Sequence, residues 1–216
     1  TPVNKPSDSL DNTGVALSLT GAFEGYDLGL YAANTYVDKP YLESGTLKYD
    51  NKSTMVGAAY NQVIDSFLFK AEAAHFNSIK YNDVANTKAR TDVLLGIEYN
   101  GITDGSIGYE VALRRIHDYS DAINTASNGY KPEQEYQQAL RFNQSYLNQA
   151  LELTAVVSLF GDTAQDGGFA RASFDYALDD QTSVSGGVID YMGGDNLMLD
   201  SYKNNDRVFA KISRLF

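Results

Sequence analysis

Histidine occurs twice in the chain, as His75 and His117. A hydrolytic site needs such a ring beside a nucleophile, with a third group to hold it. His75 has Ser78 close by. His117 follows Arg114 and Arg115 and precedes Asp118. Both histidines fall near strand ends, and His75 lies in an apolar register, where an imidazole serves as an interfacial polar group. No dyad is assigned, and the chain is not expected to be an enzyme. Two acidic clusters carry oxygen ligands of the kind calcium takes: Asp195, Asp200 and Asp206, and Asp162 and Asp166 before Gly167-Gly168. Neither has the ligand spacing of a defined site, so both read as solvated loops. Cysteine is absent, which removes disulfides, thiolate metal sites and cysteine nucleophiles together. With no phosphate loop, dinucleotide fingerprint or zinc signature either, no cofactor or metal is expected.

The remaining chemistry lies in charges placed at alternate positions. Lys70, Glu72, Asp92, Glu98, Glu110, Arg114, Arg141, Glu152, Arg171, Asp175, Arg207 and Lys211 all sit opposite apolar neighbours along alternating segments. A period of two puts such residues on one face of a strand and the apolar set on the other. So many charges of both signs are tolerated only if they are paired or wet.

The elements that must carry these faces are long strands. Val93, Leu95, Ile97 and Tyr99 alternate with Asp92, Leu94, Gly96 and Glu98, and after a turn at 101–105 the pattern resumes with Ile107, Tyr109, Val111 and Leu113. The same hairpin unit recurs. Short turns fall near Glu24-Gly25, Ile64-Asp65, Asn148-Gln149 and Asp179-Asp180. Long polar loops fall at about 38–52, 79–88, 119–134, 162–168 and 193–206. Residues 1–12 read as a linker or loop, and 13–216 as one all-β domain of about 11–12 strands. These strands run to about 10–12 residues, where soluble strands peak at about 5–6 and tilted membrane strands need about 9–11. Strict alternation of short turns with long loops is a membrane-barrel habit.

Composition agrees. A net charge of −11 argues against nucleic acid, which calls for a basic patch. No apolar run reaches the ~18–20 residues of a spanning helix, as expected where only every second residue faces lipid. Tyr (16) and Phe (10) are abundant, and many stand near strand ends, where interfacial girdles place them.

The last residues, Asp206-Arg207-Val208-Phe209-Ala210-Lys211-Ile212-Ser213-Arg214-Leu215-Phe216, alternate and stop on an aromatic. This ending, together with the Tyr-rich hairpin Gly96-Ile97-Glu98-Tyr99-Asn100-Gly101, resembles bacterial outer-membrane β-barrels, and among them a porin-like family of unassigned function. Arg214 stands where that family more often has an aromatic or apolar residue. The resemblance implies a transmembrane antiparallel up-and-down barrel in the bacterial outer membrane. It implies lipid around the barrel, and assembly machinery that reads the closing strand through Phe216. It also implies a pore through which small solutes diffuse, passively or with a preference. The residues expected to line and filter that lumen are Lys70, Glu72, Glu98, Glu110, Arg114, Arg141, Glu152, Arg171 and Lys211. Since the first strand and the last run the same way, the chain reads as the C-terminal portion of a larger barrel. A precursor mass near that of this chain plus a leader would sink this expectation. Three rivals stand beside the porin: a barrel scaffold that holds a partner protein, a barrel hydrolase and a soluble sandwich. A homo-oligomer is compatible with the porin reading.

Overall fold

Glycine, aspartate and asparagine end the strands, because they accept the left-handed backbone that a tight hairpin demands. Gly25, Asp65, Asp104 and Asn148 all have positive φ, at 84°, 52°, 55° and 55°. Between these points the alternating segments extend. The computed structural model describes residues 2–215, so Phe216, read above as the assembly signal, lies outside the described residues.

The fold is all-β. Its strands are β1 (Val3–Asn4), β2 (Val15–Phe23), β3 (Tyr26–Tyr36), β4 (Tyr41–Glu43), β5 (Thr46–Lys48), β6 (Lys52–Ile64), β7 (Phe67–Ile79), β8 (Lys88–Ile102), β9 (Gly105–Ile116), β10 (Gln134–Tyr146), β11 (Leu151–Phe160), β12 (Gly167–Ala177), β13 (Thr182–Met192) and β14 (Arg207–Arg214). Eleven of them form one sheet in the order β14-β13-β12-β11-β10-β9-β8-β7-β6-β3-β2, an open order with β14 and β2 at its ends. β2 pairs with β3, β3 with β6, and each of β10 to β13 with its successor, all antiparallel.

Three segments differ from their reading as plain linker or loop. Val3 and Asn4 pair in parallel with Leu47 and Lys48, and β4 and β5 form a hairpin inside the first long loop. Its turn uses Ser44 and Gly45, both at positive φ. The loop before β14 holds one short helix, α1 (Leu197–Asp200), capped by the Asn196 side chain. Two- and three-residue strands show too little alternation to be read from sequence, so only the pairing reveals them.

The turn between β12 and β13 carries a pH effect. The backbone N–H groups of Gln181 and Thr182 donate to Asp179 Oδ1 at 2.9 and 2.8 Å. Those bonds, led by the one from Gln181, hold the Asp179 carboxyl below its ordinary range. A depressed carboxyl contributes stability above its unfolded pKa and loses it as pH falls through the folded one. Asp179→Asn is therefore expected to lower the neutral plateau of the stability–pH curve and flatten its acid limb, while leaving stability at the lowest pH almost unchanged. Thermal melts across the acid range check this, and an unchanged acid limb would refute it.

The chain divides into two compact units. One comprises Thr1–Gln62, Lys70–Leu94 and Ala112–Glu135, and the other Val63–Phe69, Leu95–Val111 and Tyr136–Phe216. In the first unit, Leu17, Leu19, Leu28 and Leu30 share one sheet face by register, and all are exposed. At the short-turn end of that face Phe23 stacks on Tyr26 at 4.8 Å, and Tyr26 meets Tyr60 at 5.8 Å. Its buried core lies elsewhere: Ile79, Tyr81, Ile116 and Ile123 pack together with Val37, Phe76, Val84 and Tyr119. Ile123 belongs to a 3-10 turn in the long segment between β9 and β10, and is fully buried.

Asn82 ties three loops of this unit together. Its Oδ1 accepts the Leu42 N–H at 2.7 Å, its own N–H donates to Asn128 Oδ1 at 2.8 Å, and its Nδ2 donates to the Ser127 carbonyl. In the second unit, Phe67 contacts Tyr99 at 4.8 Å, again at a short-turn end. Leu140, Phe174, Val188, Val208 and Ile212 expose their side chains there.

Candidate functional site

Two arrays of charge stand out, one in each unit. In the first unit β8 supplies Arg90 and Asp92, two residues apart and so on one face. Arg114 of β9 grips Asp92 with a two-pronged contact, Nε to Oδ1 at 2.9 Å and Nη2 to Oδ2 at 3.2 Å. Its Nη1 reaches Glu135 Oε2 at 3.5 Å. Glu135 in turn accepts from Lys131 at 3.3 Å, and Arg90 meets Asp92 at 3.1 Å. The result is a chain of alternating sign, Arg90–Asp92–Arg114–Glu135–Lys131. Arg90 lies 4.4 Å over the Phe76 ring, a cation–π contact that anchors the array to the buried cluster. Its Nε is the one buried side-chain polar atom among the described residues that has no hydrogen-bond partner. A guanidinium held that firmly, with donor capacity left over, presents a fixed positive charge beside a carboxylate.

In the second unit the strand register builds rows across the sheet. Arg141 pairs with Val156, Val156 with Arg171, Arg171 with Ile189, and Ile189 with Arg207. Four residues nearer the turn end of β10, Ser145 pairs with Glu152, Glu152 with Asp175, Asp175 with Ser185, and Ser185 with Lys211. Between them runs a row free of charge, made of Asn143, Thr154, Ser173, Gly187 and Phe209. Arg141 donates to Asn143 Oδ1 at 3.1 Å, and the Arg171 guanidinium lies 5.3 Å over the Phe209 ring.

Of the sequence-predicted lumen residues, the first unit holds Lys70, Glu72 and Arg114, and the second holds Glu98, Glu110, Arg141, Glu152, Arg171 and Lys211. Glu72, Arg141, Glu152, Arg171 and Lys211 are exposed, whereas Lys70, Glu98, Glu110 and Arg114 are half-buried. Register brings Arg141 and Arg171 into one row and Glu152 and Lys211 into another. Sequence reasoning passed over Arg90, Lys131, Glu135, Phe76 and Tyr81. Arg90 carried a signal, since it shares the parity of Asp92. Lys131, Glu135 and Tyr81 carried none, because their roles come from segments read as loops or strand ends.

The two histidines meet across a hydroxyl. His75 Nδ1 lies 2.9 Å, and His117 Nε2 2.8 Å, from Thr91 Oγ1, with the rings 5.7 Å apart. Glu133 pairs with Arg115 at 3.3 Å. The acidic loop residues are likewise engaged. Asp162 accepts from Gln165, Asp200 from Lys203, and Asp206 from the Tyr191 N–H. Among the described residues no group of three or more histidine, cysteine or acidic side chains is placed to hold a metal ion. Set against models of known protein families, curated proteins and solved structures, the chain matches none.

Proposed function

We propose that this chain is part of a porin-like β-barrel of the bacterial outer membrane, a channel through which small solutes diffuse along a charged, hydrated face. The observation that carries the reading is the inversion of the sheet. In each unit leucine, valine or isoleucine is exposed on one sheet face, with Leu17 at 73% in the first and Val208 at 85% and Ile212 at 72% in the second. Charges occupy the other. The described chain exposes 13810 Å², where a soluble chain of 23.7 kDa would expose about 9,800 Å². Apolar surface on this scale calls for a non-aqueous neighbour, and lipid around a barrel is one that accepts alternating strands. No helix among the described residues is long and apolar enough to cross a membrane.

The sheet holds eleven strands among the described residues. A wholly antiparallel closed sheet has an even strand number, so closure calls for an odd number of further strands, from this chain or another. Fully buried Ile123 favours a second reading, a barrel narrowed or filled by its own loops and acting as a scaffold for a partner.

Planar-bilayer recording on detergent-folded protein separates them. Stable conductance steps, with ion selectivity altered by Glu110→Ala, are expected of the porin. Silence from protein shown to be folded and inserted would leave the scaffold.

A further inference from the structure

The arginine row of the second unit has a feature that the charge array of the first lacks. Arg114, Arg90 and Lys131 each face a carboxylate within salt-bridge distance. Arg141, Arg171 and Arg207 are all exposed and make no salt bridge among the described residues. Arginines are thus left uncompensated in a chain whose net charge is −11. They also stand in line. Each is separated from the next by one intervening strand, at Val156 and at Ile189. Neighbouring strands lie about 4.8 Å apart, so the row repeats at roughly 10 Å.

The acidic residues Glu152 and Asp175 sit four positions along the strands from this row, about 13 Å away. That exceeds the Debye length of about 8 Å at physiological ionic strength, so their field at the arginines is largely screened. Asn143 and Phe209 hold two of the three guanidiniums in place through the contacts given above. A fixed guanidinium fork suits a phosphate or carboxylate oxygen pair. One exposed arginine binds such a group weakly. Several at a set spacing bind it well only when the anion spreads its charges over a similar length, because the second contact is then intramolecular.

We propose that the row Arg141–Arg171–Arg207 is a binding track for multiply charged oxyanions, solutes carrying two or more phosphate or carboxylate groups spread over about 10 Å. The exposed Leu140, Phe174, Val188 and Val208 stand on the opposite face by register, so a lipid headgroup is not the occupant assigned. The proposal rests on reading this face as solvent-filled, as in the function proposed above. It does not require conduction, and binding is measured apart from conductance, so either can fail alone.

The test uses the untagged full chain, folded in a neutral detergent, titrated calorimetrically with tripolyphosphate and, separately, with inorganic phosphate at low salt. Tripolyphosphate is expected to bind at least about tenfold more tightly than phosphate, and to weaken as salt rises. Arg171→Gln, in the middle of the row, should weaken tripolyphosphate by about tenfold. Arg141→Gln and Arg207→Gln should each weaken it by about threefold. Arg171→Lys keeps the charge and should recover only part of the loss. Arg115→Gln, on a residue already paired with Glu133, should change nothing. All of these sites are exposed, so the single variants are expected to fold. Equal affinity for the two anions, absence of saturable binding by the native chain, or an Arg171→Gln variant that binds like the native chain would each overturn the proposal.

Discussion

Ile123→Asp is expected to release the segment between β9 and β10 from the sheet while leaving the strands intact. Ile123 is fully buried against Ile79, Tyr81 and Ile116. Truncating a buried isoleucine to alanine costs about 2–5 kcal/mol. A carboxylate at the same place adds the cost of a charge with no partner in an apolar cluster. What remains to hold the segment is polar. The Asn82 N–H donates to Asn128 Oδ1 at 2.8 Å, its Nδ2 donates to the Ser127 carbonyl, and Asn128 Nδ2 donates to the Asn82 carbonyl at 3.3 Å. Such bonds are worth about 1 kcal/mol each, too little to offset the buried charge.

Limited proteolysis should then cut within 117–133 in the Asp variant and spare the native chain. Far-ultraviolet circular dichroism should stay unchanged. Ile123→Val, at about 0.5–1.5 kcal/mol, should remain protected and serves as the graded control. An Asp variant with the native cleavage pattern would show that the segment is not held by this residue. If loops narrow a lumen, as the scaffold reading has it, the same variant should also conduct more.

Arg114→Ala carries the second large effect. It removes a two-pronged contact to Asp92 and the contact to Glu135 together, and leaves two carboxylates facing one another with only Arg90 and Lys131 beside them. Breaking a fully buried pair costs about 3–5 kcal/mol, and breaking an exposed one at most about 1. The Arg114, Asp92 and Glu135 side chains are 39%, 29% and 30% exposed, so a loss of about 1–3 kcal/mol is expected between those limits. Arg114→Lys restores the charge but not the fork, and should recover less than half of it. Denaturant titration in detergent reads the stability. In a bilayer, loss of the Arg114 charge from beside Asp92 and Glu135 should raise cation preference. Unaltered stability and unaltered selectivity together would mean that the array is ornamental to both.

The strand pattern was legible because strand register has a period of two and leaves its mark on every residue. Val93 through Tyr99 and Ile107 through Leu113 could be read as a hairpin from their spacing, and β8 and β9 are that hairpin. The turns were legible for the same local reason, since Asp65, Asp104 and Asn148 are residue types that tolerate a left-handed backbone.

The charged side of each strand followed from parity, and so did the coincidence of Asp92 and Arg114 on one side. What parity could not supply was the offset between strands. That offset decides whether Arg171 stands beside Arg141 or beside Glu152, and turn geometry and pairing across the sheet set it. The loops escaped the reading altogether. Ile123 is a single apolar residue in a polar stretch, with no period to announce it, and only a three-dimensional fold brings it onto Ile116 and Tyr81. Asn82 likewise looks like an ordinary loop asparagine until Leu42, Ser127 and Asn128 converge on it. The sequence by itself determined where the long strands run and which side of each is charged, because those depend on neighbours two positions away. Only the tertiary structure decided which charges meet and which are left unpaired, because those depend on residues 20 or more positions apart.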